Sequence, residues 1–341
     1  MTAPLINVKR FTEITSGFKK LKPVFVLGDV GVDKYTFGEV NRISPEAPVP
    51  VLRVTKEWEK LGLAANISHN LKTLEVSSTL CGVVGEDKFA DQLENLLEAC
   101  DLKTWGIVRS AGRMTTYKER ATTSAQQICR IDYESSETID SETEAMLFKR
   151  VEDLLPNHSA MIIEDYSKGM LTEKLTQDSI KKAKELGIFV SVDPGRKTNP
   201  LVYKGADLLK PNLAECRIML ESLGYGFNQK SIEEMGEILL DKLDLKQVVI
   251  TLGPEGMGLM SLEDPKLKRI PTVAPEVFDV SGAGDTSITL LTIAIQSGAS
   301  LEEAAWIGNC GAGVVVGKRG TATVDTEELS DFYNRLRLRY K

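Results

Sequence analysis

Histidine is nearly absent from this chain: His69 and His158 are the only two among 341 residues. The five cysteines (Cys81, Cys100, Cys129, Cys216 and Cys310) are odd in number, far apart, and form no C-x-x-C pair. A structural zinc site needs clustered sulfur and imidazole ligands, so none is expected; the thiols read as reduced, in a cytoplasmic protein. There is no surplus of positive charge either: 42 Lys and Arg stand against 49 Asp and Glu, a net charge of −7. Binding to nucleic acid draws on displaced counterions and hence on basic residues, so no nucleic-acid partner is expected. The basic residues Arg335, Arg337, Arg339 and Lys341 read as the end of a helix, where cations complement its dipole. Long apolar runs are also missing. The longest, Ile288–Ile295, has eight residues, two of them threonine, and the first 23 residues lack the apolar stretch of a signal peptide. No membrane association is expected.

What is present is a regular alternation. Val24–Leu27 reads as a buried strand, followed over about 34–57 by β-branched residues broken by prolines, which suggests short strands. A helix is expected over 64–74, a strand at 79–84, a helix at 89–99, and short strands again over about 105–133. From residue 141 onward, helices at 141–154, 172–186, 213–223 and 231–243 alternate with strands at 160–164, 188–192, 207–209 and 247–251. Strands spaced by helices imply βαβ units and a mostly parallel sheet covered on both faces. A hairpin over 256–272 precedes helices near 284–297, 301–316 and 326–338. With no repeat or linker, one α/β domain with a small β-flap inserted in two pieces is the economical reading.

The segment most suggestive of chemistry is Phe278-Asp279-Val280-Ser281-Gly282-Ala283-Gly284-Asp285-Thr286. A turn of small residues entering an apolar helix presents free N–H groups at the positive end of the helix dipole. That arrangement binds an anion and stabilises charge on a transferring phosphoryl group. Asp285, in the first helical turn, is placed to accept a proton from an attacking hydroxyl. Its plainer role is to favour the helix terminus. Other phosphate motifs are missing: Gly313–Arg319 is one residue short of a P-loop and has Arg319 in place of Ser or Thr, and no strand leads into G-x-G-x-x-G.

The stretch Asp279–Thr286 resembles the C-terminal signature of the PfkB, or ribokinase-like, carbohydrate kinases. Gly28-Asp29 with Asp33, Gly62-x-Ala-Ala-Asn66, Lys210-Pro211-Asn212-x-x-Glu215 and Thr251-Leu-Gly253-x-x-Gly256 agree with that family in order and spacing, so the likeness covers about residues 24–325. It implies a three-layer sandwich around a mostly parallel sheet. Residues 1–23 would form an N-terminal extension and 24–341 the kinase domain, with lid segments at about 34–57 and 105–133. Within the family the likeness is greatest to the heptose-7-phosphate kinases of lipopolysaccharide-core precursor synthesis. It rests on Arg42–Val51 (RISPEAPVPV), Gln126-Gln127-x-x-Arg130-x-Asp132, Asp165-Tyr166-x-Lys168-Gly169 and Gly313–Thr321.

By this resemblance Asp285 is the base, and Gly282, Ala283 and Gly284 supply the anion hole. Asn212, Glu215, Thr251, Gly253, Gly256 and Asn309 belong to the nucleotide side, with Glu215 acting on Mg²⁺ through water. Asn212 and Glu215 also read as a helix capping box. Asp33, Gly62 and Asn66 belong to the sugar, and a sugar phosphate would draw on Arg42, Lys118, Arg120, Lys168 or Arg196. ATP is the implied co-substrate, Mg²⁺ the cofactor and K⁺ a further implied ion; apart from the resemblance, apolar edges left exposed by the flap strands would be covered by a second copy, so a homodimer through the β-lid is expected. Three positions depart from the pattern: Leu63 where a second glycine is usual, Gly195-Arg196 after Asp193-Pro194, and Thr289 in place of a small residue. The leading expectation is a kinase acting on heptose 7-phosphate. With no H-x-G-H motif, only the kinase step is expected. The alternatives are a kinase for another sugar or phosphosugar, and a non-catalytic sugar- or nucleotide-binding relative.

Overall fold

The computed structural model describes residues 6–124, 126–226, 230–273 and 278–339. In chain order the elements begin with α1 (Val8–Gly17), β1 (Val24–Gly28), β2 (Val30–Ile43), β3 (Pro50–Leu63), α2 (Ala64–Thr73), β4 (Ser78–Val84) and α3 (Lys88–Ala99). There follow β5 (Gly106–Arg109), β6 (Thr116–Thr122), β7 (Gln127–Tyr133), α4 (Ser141–Leu154), β8 (Ala160–Glu164), α5 (Glu173–Glu185) and β9 (Phe189–Asp193). The remainder is β10 (Leu208–Leu209), α6 (Leu213–Ser222), α7 (Ile232–Lys242), β11 (Gln247–Thr251), β12 (Met257–Ser261), β13 (Lys268–Ile270), α8 (Ala283–Gln296), α9 (Leu301–Val315) and α10 (Thr326–Arg339).

Nine strands form the central sheet in the order β13-β12-β11-β10-β9-β8-β1-β4-β5. From β5 to β11 the pairing is parallel, and β12 and β13 add an antiparallel edge. β1 and β8 are buried along their whole length, as apolar runs in a sheet covered on both faces must be. Two apolar cores lie on its opposite faces. One gathers Phe11, Ile67, Leu291 and Trp306; the other gathers Leu147, Leu175, Leu220 and Leu239. α8 is buried continuously from Asp285 to Ala294, which explains a helix apolar on every side. α1 is docked as well, with Phe11 stacked on Tyr333 at 3.9 Å.

A separate four-stranded sheet runs in the order β3-β2-β6-β7. Two sequence expectations change here. The strands over 34–57 are not short: β2 and β3 form a hairpin of 14 residues each. Pro45 and Pro48 fall in the turn between them, and Pro50 takes the first residue of β3, where a missing N–H is tolerated. The strand at Gly106–Arg109 pairs with β4 and so closes the central sheet instead of joining the second one.

Candidate active site

The carboxyl ends of the parallel strands converge on one cleft, the usual place for a ligand in such a sheet. Its larger cavity, about 690 Å³, is walled by Glu164 from the end of β8, Asp193 from β9, Lys210 after β10, Thr251 from β11, and Gly284 and Asp285 of α8. A second cavity of about 400 Å³, lined by Gly253, Gly256, Met257, Ala283, Asn309 and Val316, shares Thr251, Val280 and Gly284 with it.

Gly282 opens α8 in the left-handed region (φ 81), and a Cβ there would lie 3.0 Å from Asn66 Nδ2. The Ala283 N–H donates to the Val280 carbonyl at 3.2 Å, whereas those of Gly284 and Asp285 have no acceptor among the described residues. Asp285 is buried, and both its oxygens are engaged: Asn66 Nδ2 donates to Oδ2 at 2.6 Å and the Tyr166 hydroxyl to Oδ1 at 2.8 Å. Burial raises its pKa, against the opposing pull of those two bonds and of the Lys210 charge. α2 is tied to α8 a turn further along, where Thr286 Oγ1 donates to Asn70 Oδ1 at 3.1 Å.

Beside the start of α8 lies a buried ion pair that the sequence reading did not single out. Lys210 Nζ is 2.7 Å from Asp193 Oδ2, and a Cβ on Gly284 would be 3.7 Å from that ammonium. Burial opposes the charge on Lys210, but Asp193 outweighs it and keeps the ammonium protonated. Asp193 is raised to about 6, chiefly by burial. Glu164 is raised well above its ordinary value, first by burial and then by the charges of Asp193 and Asp285, and its Oε2 has no partner among the described residues. Tyr166 and Lys210 were both present in the motif strings, but nothing in their spacing announced a contact with Asp285 or Asp193.

On the nucleotide side, Asn212 and Glu215 form the expected capping box: each side chain accepts the other's N–H at 2.9 Å. Glu215 Oε1 remains, 3.4 Å from Arg196, and both capping residues line the larger cavity. Thr251, Gly253, Gly256 and Asn309 meet at the smaller one. Gly256 is held at φ 90, where a Cβ would collide with the Ile270 carbonyl. Asn309 Nδ2 donates to the Pro271 carbonyl at 2.7 Å.

The residues expected on the sugar side divide. Asp33 accepts from Arg120 at 2.7 Å and from Thr321 Oγ1 at 2.6 Å, so the charge of Arg120 is already matched. Gly62 borders the same carboxylate: a Cβ there would be 3.0 Å from Asp33 Cγ. Arg42 is exposed near the far end of β2 and lines neither cavity. Lys118 and Lys168 come together instead. Lys118 lies over the Tyr166 ring at 5.5 Å, and its pKa is lowered by burial and by the nearby Lys168 charge. Lys168 lines the larger cavity, 2.7 Å from Glu134. Leu63, the last residue of β3 and the N-cap of α2, is buried with φ 57 and ψ −140. No cluster of three or more His, Cys, Asp or Glu able to hold a metal occurs among the described residues. No described helix is long and apolar enough to cross a membrane.

Comparison with known proteins bears on the family and the fold. The bifunctional protein HldE of Wolinella succinogenes is 41% identical over 315 residues, covering 92% of this chain and 65% of the relative. HldE of Histophilus somni is 39% identical over 323 residues, covering 94% and 65%. The chain therefore spans just under two thirds of the length of these curated relatives. Among solved structures, phosphofructokinase-2 from Escherichia coli in complex with potassium superposes with a TM-score of 0.74 at 18% identity, covering 93% of this chain and 99% of that one. Arabidopsis thaliana ribokinase complexed with ribose and ATP gives 0.68 at 19%, covering 92% and 99%. These likenesses show the ribokinase-like α/β fold. The profile of the family described as pfkB family carbohydrate kinase matches residues 36–328. With Asp285, the glycine turn before it and both cavities inside that span, the chain belongs to the pfkB family of carbohydrate kinases.

Proposed function

We propose that this chain transfers the γ-phosphoryl group of ATP to the anomeric hydroxyl of D-glycero-D-manno-heptose 7-phosphate, giving the 1,7-bisphosphate, with Asp285 as base. One observation carries the reading: the Asp285 carboxylate and the free N–H groups of Gly284 and Asp285 face a cavity whose wall includes Lys168, with Lys118 stacked over neighbouring Tyr166. Two lysines close enough to depress one of them are relieved by an anion, and a phosphosugar brings one. The 41% identical relative, named a bifunctional protein HldE, supports the heptose.

Asp285 takes the proton of the attacking hydroxyl, while the start of α8 and the Lys210 ammonium face the charge on the transferring phosphoryl group. The adenine would occupy the apolar 400 Å³ cavity. Mg²⁺ would be held through water, with the Glu215 and Asp193 carboxylates on the wall of the larger cavity as its hard-oxygen partners. When bound, the ion neutralises the nucleotide phosphates. K⁺ completes this reading and is tested by replacing it with Na⁺.

The assay is turnover of a phosphosugar panel with ATP and Mg²⁺, with Asp285→Asn in parallel. Turnover of the heptose that drops at least ~10²-fold in the variant supports base and substrate together. Turnover of another sugar alone removes the heptose, and an unimpaired Asp285→Asn removes the base. The second sheet, which carries Asp33, Lys118 and Arg120, acts in this reading as a lid. It also offers a dimer surface, with Ile43, Val54 and Ile131 exposed and β3 and β7 at its edges. Sedimentation of an active monomer would remove that assignment.

A further inference from the structure

Both donors that hold Asp285 trace back to one residue the reaction itself does not use. Asp29 follows β1 and is buried. Its Oδ2 accepts the backbone N–H of Tyr166 at 3.0 Å and of Lys168 at 3.1 Å. Its carbonyl accepts the N–H of Ala64 at 2.9 Å, the first residue of the helix that carries Asn66. Its N–H donates to the Glu164 carbonyl at 3.3 Å. One residue thus fixes the start of α2, which brings Asn66 to Oδ2 of the base, and the 165–168 turn, which brings Tyr166 to Oδ1.

The turn needs such a clamp. Ser167 has φ 55, a conformation unfavourable for a residue with a Cβ. A second buried carboxylate, Asp165, shares the load by accepting from Ser167 N–H at 2.6 Å, Thr198 at 2.7 Å and Tyr203 at 2.6 Å. Asp165 and Asp29 repel one another, and Arg113 is the cation facing them. Asp29 Oδ1 has no partner among the described residues, so its side chain is held in this unfavourable place for two N–H groups alone.

We propose that Asp29 is a positioning residue of the active site: its carboxylate sets the Tyr166 hydroxyl on the base and orients Lys168 toward the substrate's anionic group. The inference rests on the reading of Asp285 as base.

The test is a double-mutant cycle in the full chain, measured as kcat and as KM for ATP on whichever sugar of the panel turns over. Asp29→Ala and Tyr166→Phe should each lower kcat at least ~10-fold with the KM for ATP little changed, and the double variant should be no slower than the worse single one. Asp29→Asn, which keeps an acceptor oxygen, should recover most of the loss. Should Asp29→Ala not fold, Asp29→Ser replaces it and should fall below Asp29→Asn. Losses that multiply, or an Asn variant as slow as Ala, overturn the proposal. If Asp285→Asn is fully active, the reading beneath it fails instead. Independent of turnover, ¹³Cζ-tyrosine labelling should show the Tyr166 resonance, assigned with Tyr166→Phe, displaced in Asp29→Ala or its Ser replacement and restored in Asp29→Asn. An unmoved resonance also overturns it.

Discussion

Leu63 offers a clean test of backbone strain, because two substitutions separate its backbone from its side chain. At φ 57 and ψ −140 it occupies a region that L-residues rarely enter, which costs about 1–3 kcal/mol. Its side chain is 7% exposed and leans on the second sheet, with Cδ1 2.9 Å from where a Cβ on Gly31 would be. Leu63→Ala discards that packing, at about 2–5 kcal/mol, and keeps the strain. Leu63→Gly discards the same packing, relieves the strain, and loses roughly 0.5–1 kcal/mol through the greater freedom of the unfolded chain. Glycine should therefore exceed alanine in stability by about 0.5–2 kcal/mol, the reverse of their order at most positions. Urea unfolding followed by the fluorescence of buried Trp306 would read this as a midpoint difference of roughly 0.2–0.7 M, taking m as about 3 kcal/mol/M. The control is Leu71, buried inside α2, where glycine should fall below alanine by about 1 kcal/mol. Alanine equal to or above glycine at position 63 would refute the strain argument.

Two further outcomes follow from charge. Lys118→Met should raise the KM for a phosphosugar about tenfold or more while leaving that for ATP unchanged. Comparable KM values for wild type and variant would remove Lys118 from the anion site. Asp29 is raised to about 6, first by burial and next by Asp165, so the folded state holds its proton more tightly than the unfolded one. The stability this confers is complete below the unfolded pKa and is lost as pH rises through 6. The advantage of Asp29→Asn over wild type should therefore grow between pH 4 and pH 7, by up to about 3 kcal/mol at 1.36 per pKa unit. A gap independent of pH, from urea midpoints, would contradict that.

The central sheet was legible because parallel strands buried on both faces are short apolar runs, such as Val24–Leu27 and Ala160–Glu164, between amphipathic helices. The second sheet was legible in place but not in form. Three prolines suggested broken strands, yet two lie in the hairpin turn and the third heads β3. Gly106–Arg109 announced a strand without announcing which sheet would take it. In the site, residues within a few positions of one another were foreseeable, as the capping box of Asn212 and Glu215 illustrates. Pairs made by strand register were not. Asp193 and Lys210 meet because β9 and β10 run side by side with Val192 opposite Leu209, and only the sheet order places them together. Arg120 likewise pairs with Asp33 through the adjacency of β2 and β6, which removed it from the free cations.

The hydrogen bond between Thr321 and Asp33 joins residues 288 apart. During synthesis at about 5–20 residues per second, Asp33 therefore waits roughly 15–60 s for that partner to be made. α8 and α9 also arrive late, so part of one face of the sheet, beside α1 and α2, stays uncovered while most of the chain is already present. A nascent chain stalled before residue 283 should hold apolar surface open to chaperones and have no phosphoryl-transfer site at all. Catalytic competence then arrives together with the last core helices, which couples the first turnover of each molecule to the completion of its fold.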